Sequence, residues 1–209
     1  MALRHACFIS YRHGQYSLKQ SFVRSLQIAL ANELENRCNE DVYVDYDRLE
    51  SGVLFDGELP HALYESACMV MIYQPNYFDL QHPYCAREYL AMEQLETRRR
   101  TAVGTPTHDG LIIPVIFRGL DTLSQEIIRH RQYEDFSSFL LHDADLLRHP
   151  HFSVRVSRMA DYIYKQCGLY EGVPAEFSAP ESFRFPEEAD AIEWMRKSVK
   201  SAPVLPGRR

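Results

Sequence analysis

Short apolar runs alternate with helix-forming segments along most of the chain, and this alternation restricts the fold more than any other feature of the sequence. Strand-like runs occupy residues 5–11, 42–47, 68–75, 111–117 and, more weakly, 131–137. Helical patterns lie between them, the first with large apolar residues at every fourth position from Leu18 to Leu34. Strands that alternate with helices form a parallel sheet covered on both faces. The sequence therefore predicts an α/β fold with a five-stranded parallel sheet.

Proline and glycine refine this prediction. Pro114 lies inside the fourth run, which predicts a strand near an edge of the sheet or at a bulge. Gly168 follows a helical pattern over 152–167 and is expected to end that helix. We therefore expect one domain over residues 1–169.

A change of composition marks the remaining segment, 170–209, as a tail. Five of the eleven prolines lie in the last 39 residues, around one amphipathic helical pattern at 187–201. Packing of that helix against its own domain is favoured over docking to a partner, because exposed apolar patches are uncommon.

Charge and cysteine content exclude several classes of protein. The 23 basic and 29 acidic residues give a net charge of -6, and only Arg98, Arg99 and Arg100 form a basic run. This distribution argues against a nucleic-acid surface, and we expect the run to stay solvated at a helix end.

The five cysteines include no CxxC pair, as in a reduced cytoplasmic protein. The longest apolar runs have seven residues, well below the ~20 that cross a bilayer, so we expect a soluble protein without membrane contact.

The standard catalytic signatures are missing from the sequence. It contains no P-loop and no GxGxxG, GxSxG or HExxH pattern. The nine histidines are dispersed, and the closest pair, His149 and His151, brackets a proline; we therefore expect no metal site. Cys85 is interpreted as a core thiol in preference to a nucleophile.

Three polar segments follow the first three predicted strands, at residues 11–17, 47–52 and 76–88. In an open parallel sheet, ligands bind beyond the carboxyl ends of the strands, so we expect these segments to converge on one cleft. The candidate site residues on them are Tyr11, Arg12, Arg48, Glu50, Tyr84 and Glu88. The alternative is that each segment is an ordinary polar turn, as most such loops are.

Glu88 is the residue that least fits its surroundings. If Pro83 is the first helical residue, Glu88 falls on an otherwise apolar helical face. The other members of that face are Tyr84, Cys85, Ala91, Met92 and Leu95. A carboxylate buried there is unfavourable unless it is paired, hydrogen-bonded or protonated. A capping-box glutamate belongs at the third helical position, so that explanation requires a helix starting near Cys85. We favour a functional explanation and expect Glu88 to face a cleft.

Several of these segments together resemble one family. The chain is similar to the Toll/interleukin-1 receptor (TIR) domain family over roughly residues 5–167, in the blocks CFISYR, VYVDYDRLESG, ALYESACMVMIYQPNYF and PYCAREY. The resemblance implies a flavodoxin-like fold with five parallel strands. It also implies one of two functions, because animal receptor and adaptor members are mainly scaffolds, whereas many bacterial and plant members and a neuronal animal one cleave NAD+ at the nicotinamide glycosidic bond.

The resemblance assigns roles to individual residues. The glutamate of enzymatic members matches Glu88, and the aromatic residue four positions earlier, often tryptophan, is here Tyr84. Substrate-site roles fall on Tyr11, Arg12, Arg48 and Glu50. The implied function is that of a bacterial-type NAD+ glycohydrolase or ADP-ribosyl cyclase in immune signalling or antiphage defence. NAD+ is then a substrate, and no cofactor is expected.

The resemblance also implies assembly. In TIR enzymes a neighbouring TIR domain often completes the active site through the loop matching DRLESG, and we expect Leu49, Gly52 and Phe55 to make such contacts. We expect a separate sensor or effector protein, to which the tail is a candidate docking segment. The rival interpretation is a non-enzymatic module that pairs TIR domain to TIR domain through the same loop.

Overall fold

The computed structural model describes residues 3–14, 17–45, 58–104, 109–140, 146–170 and 183–199. Its strands are β1 (His5–Tyr11), β2 (Asp41–Val44), β3 (Ser66–Tyr73), β4 (Ile112–Ile116) and β5 (Glu134–Asp135). Its α-helices are α1 (Ser17–Leu34), α2 (Glu58–Tyr64), α3 (Tyr84–Val103), α4 (Gln125–His130), α5 (Pro150–Tyr170) and α6 (Glu188–Val199). Each of the five predicted strands forms.

The five strands make one parallel sheet in the order β2-β1-β3-β4-β5. This is the flavodoxin-like order, in which the chain winds outward in one direction from β1 and in the other from β3. Every residue of β3 is buried, as expected for a central strand covered on both faces. The predicted fold class is confirmed, and the order reverses between β1 and β3.

Helices cover both faces of the sheet. Cys7 and Ser10 are three residues apart on β1 and therefore point to opposite faces. Ser10 contacts Glu88 of α3, whereas the thiol of Cys7 interacts with that of Cys167 on α5. The helices α1 and α5 pack against each other, and so do α2 and α3. Two helical layers therefore enclose the buried strands.

The predictions made from Pro114 and Gly168 had different outcomes. The strand β4 lies beside the edge strand β5, which pairs with Val115 and Ile116 only, directly after Pro114. The expectation that Gly168 ends its helix was wrong, because α5 continues to Tyr170. Tyr170 is buried in the core, and its packing outweighs the roughly 1 kcal/mol helical penalty of glycine.

The expectation of a solvated arginine run was wrong for Arg99. Its side chain is 5% exposed, and its guanidinium donates hydrogen bonds of 2.7 Å to the carbonyl oxygens of Tyr64 and Ser66. The same group lies 5.5 Å from the centre of the Tyr170 ring. Arg99 therefore joins the end of α2, the start of β3 and the end of α5.

The tail helix α6 packs along α3. Trp194 places its ring 5.2 Å from both the Phe78 ring and the Tyr89 ring. Arg87 of α3 donates a hydrogen bond of 2.7 Å to the carbonyl oxygen of Pro186, just before α6. The residues flanking Glu88 on α3 are thus held by the tail. No helix in the described part of the chain is long and apolar enough to cross a membrane.

Candidate functional site

Glu88 is the fifth residue of α3 and has no role in capping that helix. The helix starts at Tyr84, one residue later than predicted, and Pro83 is its N-cap. A capping-box glutamate accepts a hydrogen bond from the N-cap N–H, which proline does not have. Glu88 instead points to the sheet, so the capping explanation fails.

Two hydroxyl groups from other parts of the chain surround the Glu88 carboxylate. The Ser10 hydroxyl donates to Glu88 Oε2 at 2.5 Å, and the Tyr77 hydroxyl lies 2.5 Å from Ser10 Oγ. Because a serine has one proton to donate, Tyr77 is the donor to Ser10. The result is a short chain of hydrogen bonds from the loop after β3, through the end of β1, to α3.

The carboxylate is sealed from solvent. Glu88 and Ser10 are each 1% exposed, and Tyr77 is fully buried. The prediction that Glu88 lies on the inward face of its helix is confirmed, but the expectation that it opens to a cleft was wrong. The hydroxyl chain accounts for the difference, because it supplies hydrogen bonds that a buried carboxylate requires.

Ser10→Ala tests this hydroxyl chain. Removing the donor from a buried carboxylate is expected to lower the free energy of unfolding by about 1–3 kcal/mol, measured by urea denaturation. Ser21→Ala, at an exposed position of α1, is the matched control and is expected to change stability by less than about 0.5 kcal/mol. Equal stability of the two variants would contradict the assigned role of Ser10.

Arg12 joins the first polar segment to the third. Its Nη2 lies 3.2 Å from Asp79 Oδ2, and Asp79 Oδ1 accepts a hydrogen bond of 2.9 Å from the Gln81 N–H. Among the described residues, the buried Arg12 Nε has no hydrogen-bond acceptor. The predicted convergence of these two segments is therefore present in the Arg12–Asp79 contact.

Lys19 adds a second cation beside Arg12. Its Nζ donates to the Arg12 carbonyl oxygen, and its side chain is only 5% exposed. Burial, and then the charge of Arg12, lowers the pKa of Lys19. Two cations at the carboxyl end of β1 form a setting suited to an anionic group.

The two predicted aromatic site residues occupy different environments. Tyr11 is 6% exposed; its hydroxyl donates to the Asp45 carbonyl oxygen at 3.4 Å, and its ring stacks on His13 with centroids 4.3 Å apart. Tyr84 shares a helical face with Glu88, as their spacing predicts, but its residue surface is 40% exposed. As the first residue of α3, Tyr84 lies one helical turn before Glu88.

The remaining predicted residues belong to the second polar segment. Arg48 and Glu50, and the expected assembly contacts Leu49, Gly52 and Phe55, lie outside the described residues. Their proposed roles stay predictions.

Sequence reasoning missed four polar residues that line this region, namely Ser10, Lys19, Tyr77 and Asp79. Tyr77 and Asp79 belong to the segment predicted to hold the site, and Ser10 is a hydroxyl residue next to Tyr11. These positions carried a usable signal. Lys19 carried none, because a lysine near the start of a helix is usually solvated.

A sizeable cavity lies elsewhere in the described part of the chain. It measures about 580 Å³ and is lined by parts of α3, β4 and α5. Charged groups of its lining pair with one another: Arg131 lies 2.8 Å from Glu96, and Glu134 lies 3.3 Å from Arg158. Because its charged groups are already paired, this cavity is a weaker candidate for a catalytic site than the buried carboxylate at the other end of α3.

The site lies where strand order reverses. Ser10 and Arg12 come from the end of β1, and Tyr77 and Asp79 come from the loop after β3. In flavodoxin-like sheets the crevice at this switch point is where ligands bind. The fold and this placement define an open parallel α/β domain with its candidate site at the β1/β3 switch point.

Comparison with known proteins gives the family. The family model described as the TIR domain matches residues 7–148, well over half of the chain. This protein therefore belongs to the TIR domain family. No curated protein matches it.

Among solved structures, the chain is similar to the TIR domains in the structure of the activated Roq1 resistosome directly recognizing the pathogen effector XopQ. The identity is 17% and the TM-score 0.37, with 92% of this chain and 98% of the other covered. A TM-score at this level adds nothing to the family assignment.

Proposed function

We propose that this TIR domain cleaves the nicotinamide glycosidic bond of NAD+, with Glu88 as the catalytic carboxylate. The observation that carries the proposal is the placement of Glu88 at the β1/β3 switch point, where it is hydrogen-bonded to Ser10. Two residues after Ser10 comes Arg12, whose carbonyl oxygen accepts a hydrogen bond from Lys19. Immune signalling or antiphage defence in bacteria is the proposed setting, and it rests on the family resemblance.

A single carboxylate suits this reaction. Glycosidases that expel an oxygen leaving group use a second carboxyl group to protonate it. Nicotinamide departs as a neutral base, because the electron pair of the broken bond neutralises its cationic ring, so no general acid is needed. Glu88 holds the ribose hydroxyls and stabilises the positive charge that develops on the ribose.

The product depends on what attacks the ribose carbon. Water gives ADP-ribose, nicotinamide and a proton, whereas a nitrogen of the adenine ring gives a cyclic product. Chromatography of the adenine-containing products separates these outcomes. A cyclic product supports a diffusible signal for a separate effector protein, and ADP-ribose as the sole adenine product counts against one.

The cations are the proposed binding site for the pyrophosphate. Arg12 offers an N–H without an acceptor among the described residues, and arginine binds phosphate oxygens in a fixed geometry. Lys19 adds a point charge, whereas Asp79 competes with the pyrophosphate for Arg12. Tyr11 or Tyr84 stacks on a ring of the substrate. We keep Arg48 and Glu50 as proposed contacts of the ribose and phosphates.

The burial of Glu88 makes access part of the mechanism. A ribose cannot reach a carboxylate that is 1% exposed unless neighbouring groups move. We propose that assembly with other TIR domains, through Leu49, Gly52 and Phe55, opens and completes the site. The isolated domain is then a weak enzyme.

Nicotinamide release per molecule of protein is therefore expected to rise with protein concentration. A dilution series with and without a crowding agent, read by chromatography and compared with sedimentation, measures the effect. Phe55→Ala is expected to flatten the concentration dependence. A rate per molecule that is constant across assembled and monomeric samples would contradict the role of assembly.

The burial of Glu88 also favours one rival, a non-enzymatic TIR scaffold in which the carboxylate is structural. Concentrated protein incubated with NAD+ separates the two, with wild type and Glu88→Ala compared side by side. Activity in the wild type alone supports the enzyme. No activity under any assembling condition supports the scaffold, and equal activity in the two proteins contradicts Glu88 as the catalytic carboxylate.

A further inference from the structure

A second cluster of reactive side chains lies at the amino edge of the sheet, away from Glu88. The thiols of Cys38 and Cys167 and the carboxylate of Glu40 place their ligand atoms within 4.8 Å of one another. Cys167 is buried on α5, whereas Cys38 and Glu40 are partly exposed. The proposed NAD+ chemistry uses none of these groups.

The local fold holds the three ligands in place. Cys38 follows α1, where its N–H donates to the Leu34 carbonyl oxygen at 3.0 Å, and Glu40 comes two residues later, directly before β2. The packing of α5 on α1 brings Cys167 to the same point.

Contacts next to the cluster fix the position of α1 relative to α5. Arg37 forms ion pairs with Glu33 of α1 and with Asp161 of α5. Ser157 of α5 donates a hydrogen bond of 3.2 Å to Glu33. Cys38 and Cys167 are therefore carried by two elements whose mutual position is set by charged and hydrogen-bonded groups.

We propose that Cys38, Glu40 and Cys167 bind a zinc ion. Thiolate sulfur and carboxylate oxygen are zinc ligands, and sulfur excludes the hard cations magnesium and calcium. Bonds of about 2.0–2.3 Å in a tetrahedron separate ligand atoms by roughly 3.4–3.8 Å, so small side-chain movements close the observed cluster on the ion. Three protein ligands leave the fourth position to a water molecule.

Binding needs no redox partner. Each thiol releases one proton as its sulfur bonds to the ion, and the carboxylate supplies the third bond. The Zn²⁺ charge offsets most of the three negative charges gathered in one place. The ion would tie the segment before β2 to α5.

Cobalt(II) provides the test, because it occupies zinc sites and reports its ligands by absorption. The reduced 209-residue chain, titrated with Co²⁺, is expected to show thiolate-to-cobalt charge transfer and the visible bands of a four-coordinate ion. The signal is expected to saturate at one equivalent and to disappear on addition of Zn²⁺. Cys38→Ser and Cys167→Ser are expected to lose the charge-transfer band, and Cys85→Ser, a buried cysteine of α3, is expected to keep it.

Glu40→Gln is the second variant, because the cysteine variants could lose the charge-transfer band simply by unfolding. Glu40 is partly exposed, so its amide variant is expected to stay folded by circular dichroism and to bind Co²⁺ about 10-fold or more weakly. Absence of the charge-transfer band in the wild type, or unchanged affinity in both Cys38→Ser and Glu40→Gln, would overturn the proposal.

Discussion

Replacing Glu88 by glutamine is expected to lower the rate of nicotinamide release from NAD+ by about 100-fold or more, with the fold retained. Glutamine keeps the size of the side chain, and its amide oxygen still accepts the hydrogen bond from Ser10 that holds Glu88 at 2.5 Å. What disappears is the negative charge that stabilises the developing positive ribose. The effect therefore falls on kcat/KM for NAD+, measured by chromatography of nicotinamide under assembling conditions.

The matched control is Glu93→Gln on the same helix. Glu93 pairs with Arg131 at 3.0 Å, away from Ser10 and Tyr77, and its variant is expected to keep its activity. Urea denaturation of both variants checks that they remain folded. Full activity in a folded Glu88→Gln protein would contradict the catalytic role of Glu88.

Arg99→Ala is expected to lower the free energy of unfolding by about 3 kcal/mol or more. The guanidinium of Arg99 donates to three carbonyl oxygens, those of Tyr64, Ser66 and Ala67, in a buried site. Removing it leaves these acceptors without that donor and opens a cavity beside Tyr170.

Urea denaturation followed by circular dichroism measures this loss. The control is Arg24→Ala, an exposed arginine within α1, which is expected to change the free energy of unfolding by less than about 0.5 kcal/mol. Similar unfolding midpoints for the two variants would contradict the role of Arg99 in joining α2, β3 and α5. Because Arg99 lies far along α3 from Glu88, any residual activity of the folded fraction is expected to be normal.

The fold was predictable because β1, β3 and β4 lie in continuous apolar runs. The run at residues 5–11 coincides with β1, and every other predicted strand overlaps an observed one. The failures occur where distant contacts outweigh local signals. Gly168 stays helical because the buried Tyr170 follows it. Arg99 is buried because carbonyl oxygens of α2 and β3 accept hydrogen bonds from its guanidinium.

The candidate site was predictable in part. Periodicity placed Glu88 on the inward face of its helix, and strand order brought Arg12 toward the third polar segment. The closure around Glu88 was not predictable, because Ser10 and Tyr77 reach it from two other elements. The cluster of Cys38 and Cys167 was not predictable for the same reason. The two cysteines are distant in sequence and come together only through the packing of α1 on α5.

The most direct test of the central claim is the release of nicotinamide from NAD+ by concentrated wild-type protein, with Glu88→Ala measured in parallel under the same crowding. NAD+ cleavage by Glu88 predicts that nicotinamide accumulates with an equal amount of an adenine-containing product in the wild type and stays at background in the variant. Background release by the wild type in every assembled state, or equal release by both proteins, would contradict it.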